Sequence, residues 1–266
     1  MARSAILNVM VQAATKAGRS LARDFGEVQN LQVSLKGPGD YVSQADRKAE
    51  EVIYAELSRA RPGYSFLMEE RGAVAGDDDQ HRWIVDPLDG TTNFLHGIPV
   101  FAISIALERQ GQLVAGVIYN PAMDELYTAE RGGGAFMNDR RLRVAGRSKL
   151  ADAVIGTGVP HLGRGHHGNY LVELRNIMGE VSGIRRLGAA ALDLAYVAAG
   201  RMDGFWEAGL SPWDVAAGVL MIREAGGFAT DGDGGPEIYD GGTIVAGNEA
   251  IHRALLKSLR RPMVAR

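Results

Sequence analysis

A chain of 266 residues is long enough for one large α/β unit or two closely packed subdomains. With 46% hydrophobic and 23% charged residues and a net charge of −3, it has a globular composition and no long-range pull toward nucleic acid or an anionic membrane. It contains no cysteine, which excludes a disulfide framework and a thiolate metal site and suits a reducing cytoplasm.

Residues 4–25 place Ile6, Val9, Met10, Ala13, Ala14, Ala17 and Leu21 at helical spacing. Asn8, Gln12 and Lys16 interrupt the apolar run, so this segment reads as an amphipathic helix rather than a signal peptide. A second helix is predicted over 43–61, stopped by Pro62-Gly63. Strands are predicted at 64–68, 82–86, 100–108, 112–119 and 124–130, with turns at Gln110-Gly111 and 131–134. The longest apolar stretch, 98–107, is about half the ~20 residues of a membrane span. Beyond 146 the pattern alternates, with strands at 153–157, 183–187, 202–206 and 243–246 and helices at 168–179, 189–199, 212–225 and 248–260. Such alternation predicts an α/β fold, layered in the α+β manner, with sheets covered by helices. The expected organisation is an N-terminal subdomain over 1–145 packed against a C-terminal one over 146–266.

The chemistry concentrates where a buried strand ends. In "WIVDPLDGTTNF" (83–94) the apolar run Trp83-Ile84-Val85 is followed by Asp86 and Asp89, then by Gly90, Thr91 and Thr92. The C-terminal end of a strand is where open α/β sheets place ligands, and two carboxylates so close repel unless a cation lies between them. Alone, the motif also suits a proline turn with an aspartate capping a short helix. Other acids stand at comparable places: Asp46 in "SQAD" (43–46), Asp214 in "SPWD" (211–214), and Glu69 and Glu70 in "LMEE" (67–70). Acids in a first helical turn oppose the helix dipole and need no further role. Capping does not predict their company, however, because Gly90-Thr91-Thr92 at a helix start offers free N–H groups to a phosphate. Carboxylates beside a phosphate cradle are the arrangement for Mg²⁺, which also takes water and phosphate oxygens.

"DPLDGTTNF" and "WDVAAG", with the upstream "EE" and "SQAD", resemble in order and spacing the inositol monophosphatase family of metal-dependent, lithium-sensitive phosphatases over nearly the whole chain. The bacterial inositol-1-monophosphatase type is the nearest in pattern. The resemblance implies a layered sugar-phosphatase sandwich that hydrolyses inositol 1-phosphate with two or three Mg²⁺ ions, as a cytoplasmic homodimer. It implies that Glu69, Asp86 and the Leu88 carbonyl hold one ion, and that Asp86, Asp89 and Asp214 hold a second. Thr91, bonded toward Asp46, would orient the attacking water, with Glu69 assisting. The N–H groups of Gly90 and Thr91 would grip the phosphate. Glu207 in "FWEAG" would accept polyol hydroxyls, with Thr92, Ala189 and Asp214 also near the substrate. Three departures are present: Met68 and Ala189 stand where relatives commonly carry glycine and serine or threonine, and the linker between Lys36 and Asp46 differs from that of animal relatives.

Other features point elsewhere or nowhere. Asp77-Asp78-Asp79 reads as a solvated loop, and His161, His166 and His167 as loop residues without zinc spacing. "GTGVPHLG" matches a nucleotide fingerprint only faintly, and neither a P-loop nor G-x-S-x-G occurs. Arg131, Arg140, Arg141, Arg143, Arg147 and Lys149 suggest a solvated hairpin face or, alternatively, a docking patch for RNA or the transcription machinery, with Phe136 the single aromatic. Arg164, Arg185 and Arg186 read as surface ion-pairing residues. Their alternative is a second phosphate, as in fructose 1,6-bisphosphate or adenosine 3′,5′-bisphosphate; histidinol phosphate is another alternative substrate.

Overall fold

The computed structural model describes residues 3–27, 33–37, 40–163, 165–239 and 243–261, with backbone only over 33–37 and 40–43. The amphipathic N-terminal segment forms α1 (Ala5–Phe25), whose buried side Leu7, Met10, Ala13, Ala14, Ala17 and Leu21 is the predicted apolar stripe. The short strands β1 (Val33–Gly37) and β2 (Asp40–Ser43) pair with each other ahead of α2 (Gln44–Ala60). Eight strands then make the larger sheet: β3 (Tyr64–Met68), β4 (Gly72–Val74), β5 (Asp78–Asp89), β6 (Ala102–Arg109), β7 (Gln112–Asn120), β8 (Glu125–Glu130), β9 (Gly134–Met137) and β10 (Arg140–Arg141). Its order is β10-β9-β8-β7-β6-β5-β3-β4, and only the β3–β5 pairing is parallel. Between β5 and β6 lies the short helix α3 (Thr91–Leu95).

The second sheet holds β11 (Val154–Thr157), β12 (Gly183–Arg185), β13 (Gly204–Ala208), β14 (Phe228–Asp231) and β15 (Thr243–Gly247) in the order β12-β11-β13-β15-β14. The helices among them are α4 (His167–Met178), α5 (Ala190–Ala198), α6 (Pro212–Glu224) and α7 (Glu249–Leu259). The predicted alternation is therefore present, although β14 and several short edge strands carry too little pattern to be predicted.

Burial explains the layering. One face of the large sheet packs on α1 and α2 through Ile53, Leu57, Trp83, Val85, Ile103 and Ile105. Its other face meets α5 and α6, both apolar nearly all round, which also cover the second sheet through Phe205, Ile244 and Ala246. Trp206, one residue from Phe205 and so on the opposite face, packs toward α7 with Val245, Ile251 and Leu255. The result is five layers, helix–sheet–helix–sheet–helix. Helix α6 approaches β7 so closely that a Cβ on Gly116 would lie 3.2 Å from the Ala217 backbone. Among the described residues no helix is long and apolar enough to cross a membrane.

Candidate active site

In a regular strand Asp86 and Asp89, three residues apart, would point to opposite faces. They do not, because β5 carries a bulge. Asp86 pairs with Ser104 and Asp89 with Ala102, so β5 spends one residue more than β6 across this interval. Proline at 87, which has no N–H for the ladder, suits the bulge. The Leu88 N–H turns in to donate to Asp86 Oδ1 at 2.9 Å. Both carboxylates thus reach one place, where Asp214 joins them, and one oxygen from each of the three lies within 4.8 Å of the others.

Each partner is held from a different element. Asp214 sits in the first turn of α6, where its Oδ2 accepts from the Ser211 N–H at 2.7 Å, with Pro212 at the first helical position. The predicted cap is therefore real, and it aims the carboxylate. Ser104 ties this turn to the sheet by donating to the Trp213 carbonyl at 3.1 Å. Asp89 Oδ2 accepts from the Ala191 N–H at the start of α5, at 2.7 Å. Glu69 follows β3 directly, and the next backbone N–H groups, of Glu70 and Arg71, donate to Glu50 Oε2 of α2 at 2.9 and 3.3 Å. Met68 is wholly buried in the core and Glu69 still lines the cavity.

Asp46, fully buried in α2, accepts from the Thr91 hydroxyl at 3.0 Å, and the Leu88 carbonyl lies 3.1 Å from the same hydroxyl. The predicted Thr91–Asp46 pairing is thus present. Gly90, which opens α3, has φ of 89°, and a Cβ there would stand 2.9 Å from the Val100 carbonyl, so only glycine fits. Asn93 holds this turn by donating to the carbonyls of Val100 and Leu187, both at 2.8 Å.

Electrostatically, like charges meet in this cluster. Burial, then the charges of Glu69, Asp89 and Asp214, push the Asp86 carboxyl well above the usual carboxylate range. Burial and Asp214 do the same to Asp89, against the hydrogen bond from Ala191. The groups open onto a cavity of about 660 Å³ that also exposes Leu88, Gly90, Thr91, Thr92, Ala189 and Glu207. Among the described residues no lysine lines this cavity, and one arginine does, Arg186. A hard divalent cation bound by oxygens fits this donor set.

Two residues escaped the sequence reading. Asp193 of α5 is 1% exposed and its Oδ1 has no hydrogen-bond partner among the described residues. Burial and the nearby charges of Glu207 and Asp89 push its carboxyl up, with Arg186 opposing. An aspartate inside the apolar run "AALDLAYVA" was the available signal. Gly158 lies just beyond β11 and lines the cavity under Glu207.

The remaining expectations divide. Asp78 is not a bare loop residue: it starts β5 and accepts from the N–H groups of Gln80 and His81. His161 and His166 line the cavity, and His167 begins α4. The basic stretch is partly absorbed internally, since Arg147 pairs with the buried Asp203 at 2.7 Å and Arg131 bonds Gln112. Arg185 turns back to its neighbour's carbonyl, and Arg164 lies outside the described residues.

The family model described as "Inositol monophosphatase family" matches residues 2–263. The inositol-1-monophosphatase of Mesorhizobium japonicum is 82% identical over the full length of both chains. The protein named Nus factor SuhB of Escherichia coli K12 is 42% identical, with 96% of each chain covered. Among solved structures, the extragenic suppressor protein suhB of Bartonella henselae superposes with a TM-score of 0.95 at 69% identity, covering 98% of this chain and 100% of that one.

Proposed function

The chain belongs to the inositol monophosphatase family of phosphate-ester hydrolases, and on that premise we propose that it hydrolyses a phosphate monoester of a small polyol, inositol 1-phosphate first, with Mg²⁺. The observation that carries this reading is the meeting of Asp86, Asp89 and Asp214, from a strand bulge and a distant helix cap, with oxygens within 4.8 Å. Three such carboxylates are tolerable together when a cation shares them. We assign Glu69, Asp86 and the Leu88 carbonyl to one ion and Asp86, Asp89 and Asp214 to another, in a site for two or three ions. Bound Mg²⁺ supplies charge neutralisation at the phosphate and leaving oxygen and lowers the pKa of water.

The chain supplies the positioning. With its O–H donated to Asp46, the Thr91 oxygen keeps its lone pairs free to accept a proton from the attacking water. That proton then has a route to the Asp46 carboxylate, while Glu69 fixes the orientation of the water from the other side. The free N–H groups of Gly90 and Thr91 hold phosphate oxygens. Glu207 accepts hydroxyls of the polyol, and Thr92, Ala189 and Asp214 complete the walls around it. Water attacks phosphorus as the P–O bond to the polyol breaks, and the departing alkoxide takes up a proton from solvent, balancing the one the attacking water gives up. Phosphoryl transfer of this kind relies on positioning and charge stabilisation more than on a covalent intermediate. We also read the protein as a cytoplasmic, lithium-sensitive homodimer, with a subdomain boundary near residue 145 in the interval between the two sheets.

Phosphate release from a panel of inositol 1-phosphate, fructose 1,6-bisphosphate, histidinol phosphate and adenosine 3′,5′-bisphosphate tests this reading. The highest kcat/KM is expected for inositol 1-phosphate; turnover of another member alone would contradict it. A second role on the transcription machinery is supported by the relatives named Nus factor. A hydrolytically dead variant that still bound RNA polymerase would establish that role separately.

A further inference from the structure

Gly158 has no side chain, and the reason lies across the cavity floor. A Cβ at this position would stand 1.9 Å from both the carboxyl carbon and Oε1 of Glu207, and 2.3 Å from Oε2. The Glu207 carboxylate therefore lies directly against the Gly158 backbone, in space that any other residue would fill. The backbone itself does not demand glycine here, because Gly158 is absent from the glycines with positive φ. Its smallness serves the neighbour rather than the turn.

Topology makes the seat. Strands β11 and β13 run parallel with Thr157 opposite Trp206, which sets Gly158 level with Glu207. Trp206 points to the α7 side, so Glu207, by strand alternation, points to the cavity side. Gly156, two residues back on β11, is also closely covered, a Cβ there standing 2.9 Å from the Met202 methyl, 3.0 Å from its sulfur and 3.1 Å from Asp193 Oδ1. Glu207 thus rests over Gly158 at the end of β11, with the like-charged Asp193 close behind it.

We propose that Gly158 is a specificity-determining positioning residue, whose missing Cβ seats the Glu207 carboxylate at the height where it accepts hydroxyls of a polyol ring. The proposal rests on the polyol-phosphatase reading given above for its substrate and on the Gly158–Glu207 contact for its geometry. It assigns part of the selection among phosphate esters to the residue that follows β11, a strand that contributes no residue to the acidic cluster. The chemical class selected is a phosphate ester with hydroxyls near the ester carbon, over a hydroxyl-free aryl phosphate.

The test is Gly158→Ala. The ratio of kcat/KM for inositol 1-phosphate to that for phenyl phosphate is expected to fall at least tenfold, mostly through KM. Glu207→Gln should lower the same ratio, and Gly158→Ala combined with Glu207→Gln should lower it no further. An equal loss on both esters, or a fully additive double variant, overturns the proposal. Melting temperature provides a readout without any substrate. Gly158→Ala should lower Tm in the wild-type background but not in the Glu207→Ala background; an equal drop in both backgrounds overturns the seat. If wild-type protein leaves inositol 1-phosphate untouched while the Tm coupling is present, the substrate reading fails and the seat stands.

Discussion

Two buried groups of acids in this molecule make a useful pair. Beside the end of α5, on β8, Glu125 meets Arg201 at 2.7 Å and the Tyr127 hydroxyl at 2.6 Å. Burial alone would raise the Glu125 carboxyl, but the hydrogen bonds from Arg201 and Tyr127 outweigh it and hold the group below its ordinary range. At the bulged end of β5, Asp86 and Asp89 are raised by burial and then by the charges of neighbouring acids, Glu69 for Asp86 and Asp214 for Asp89, and backbone N–H groups of Leu88 and Ala191 donate to them. The first cluster is balanced within the chain and serves the fold. The second brings like charges together in a buried place where burial and mutual repulsion disfavour their charged forms, which is an arrangement for a ligand.

The difference can be broken from either side. Asp89→Asn should cost the most, about a thousandfold in kcat or roughly 4 kcal/mol, the scale of losing a key electrostatic stabiliser. Steady-state kinetics with Mg²⁺ check this, and near-wild-type turnover would remove Asp89 from the metal site. Arg201→Met should strand the Glu125 carboxylate and destabilise the fold by about 2–3 kcal/mol, less than a fully buried pair because the arginine is half-exposed. Urea unfolding measures that loss, while phosphate release per folded molecule should hold.

Mg²⁺ at a hundredfold excess over its Kd should stabilise the wild-type protein by about 2.7 kcal/mol, and Asp89→Asn by less, as read by thermal melts with and without chelator. The smallest effect is a sign reversal with pH. Raised carboxyls bind more protons in the folded state, so the Asp86–Asp89 cluster is most favourable in acid and loses stability as pH rises past the ordinary carboxylate range. Glu125 is lowered, so its contribution is present above that range and lost as pH falls. Metal-free Asp89→Asn should therefore gain stability relative to wild type toward neutral pH, and Arg201→Met should lose its disadvantage in acid. Chelated melts from pH 4 to 8 read both; parallel curves for all three proteins would contradict the contrast.

Much of this was legible in the chain because it is periodic or local. The apolar stripe of α1 and the long apolar runs of β6 and β7 needed only their own residues. The acids of the site stood out by motif, and the Ser211–Asp214 cap by spacing. What escaped depended on contacts across the fold. The bulge that turns Asp86 and Asp89 to one face is defined by β6, and the N–H that holds Asp89 comes from Ala191, 102 residues away. Gly158 reads as any loop glycine until Glu207 lies on it. Strands β4, β9, β10 and β14, two to four residues long, carry too few positions for alternation to register.

Calorimetric titration of Mg²⁺ into chelator-treated wild-type protein and into Asp214→Asn reaches the central claim most directly, since Asp214 joins the cluster from the far half of the chain. Saturable binding in the wild type, with at least one site lost or weakened tenfold in the variant, is the predicted result. Identical titrations for the two proteins would mean that the three aspartates do not share an ion.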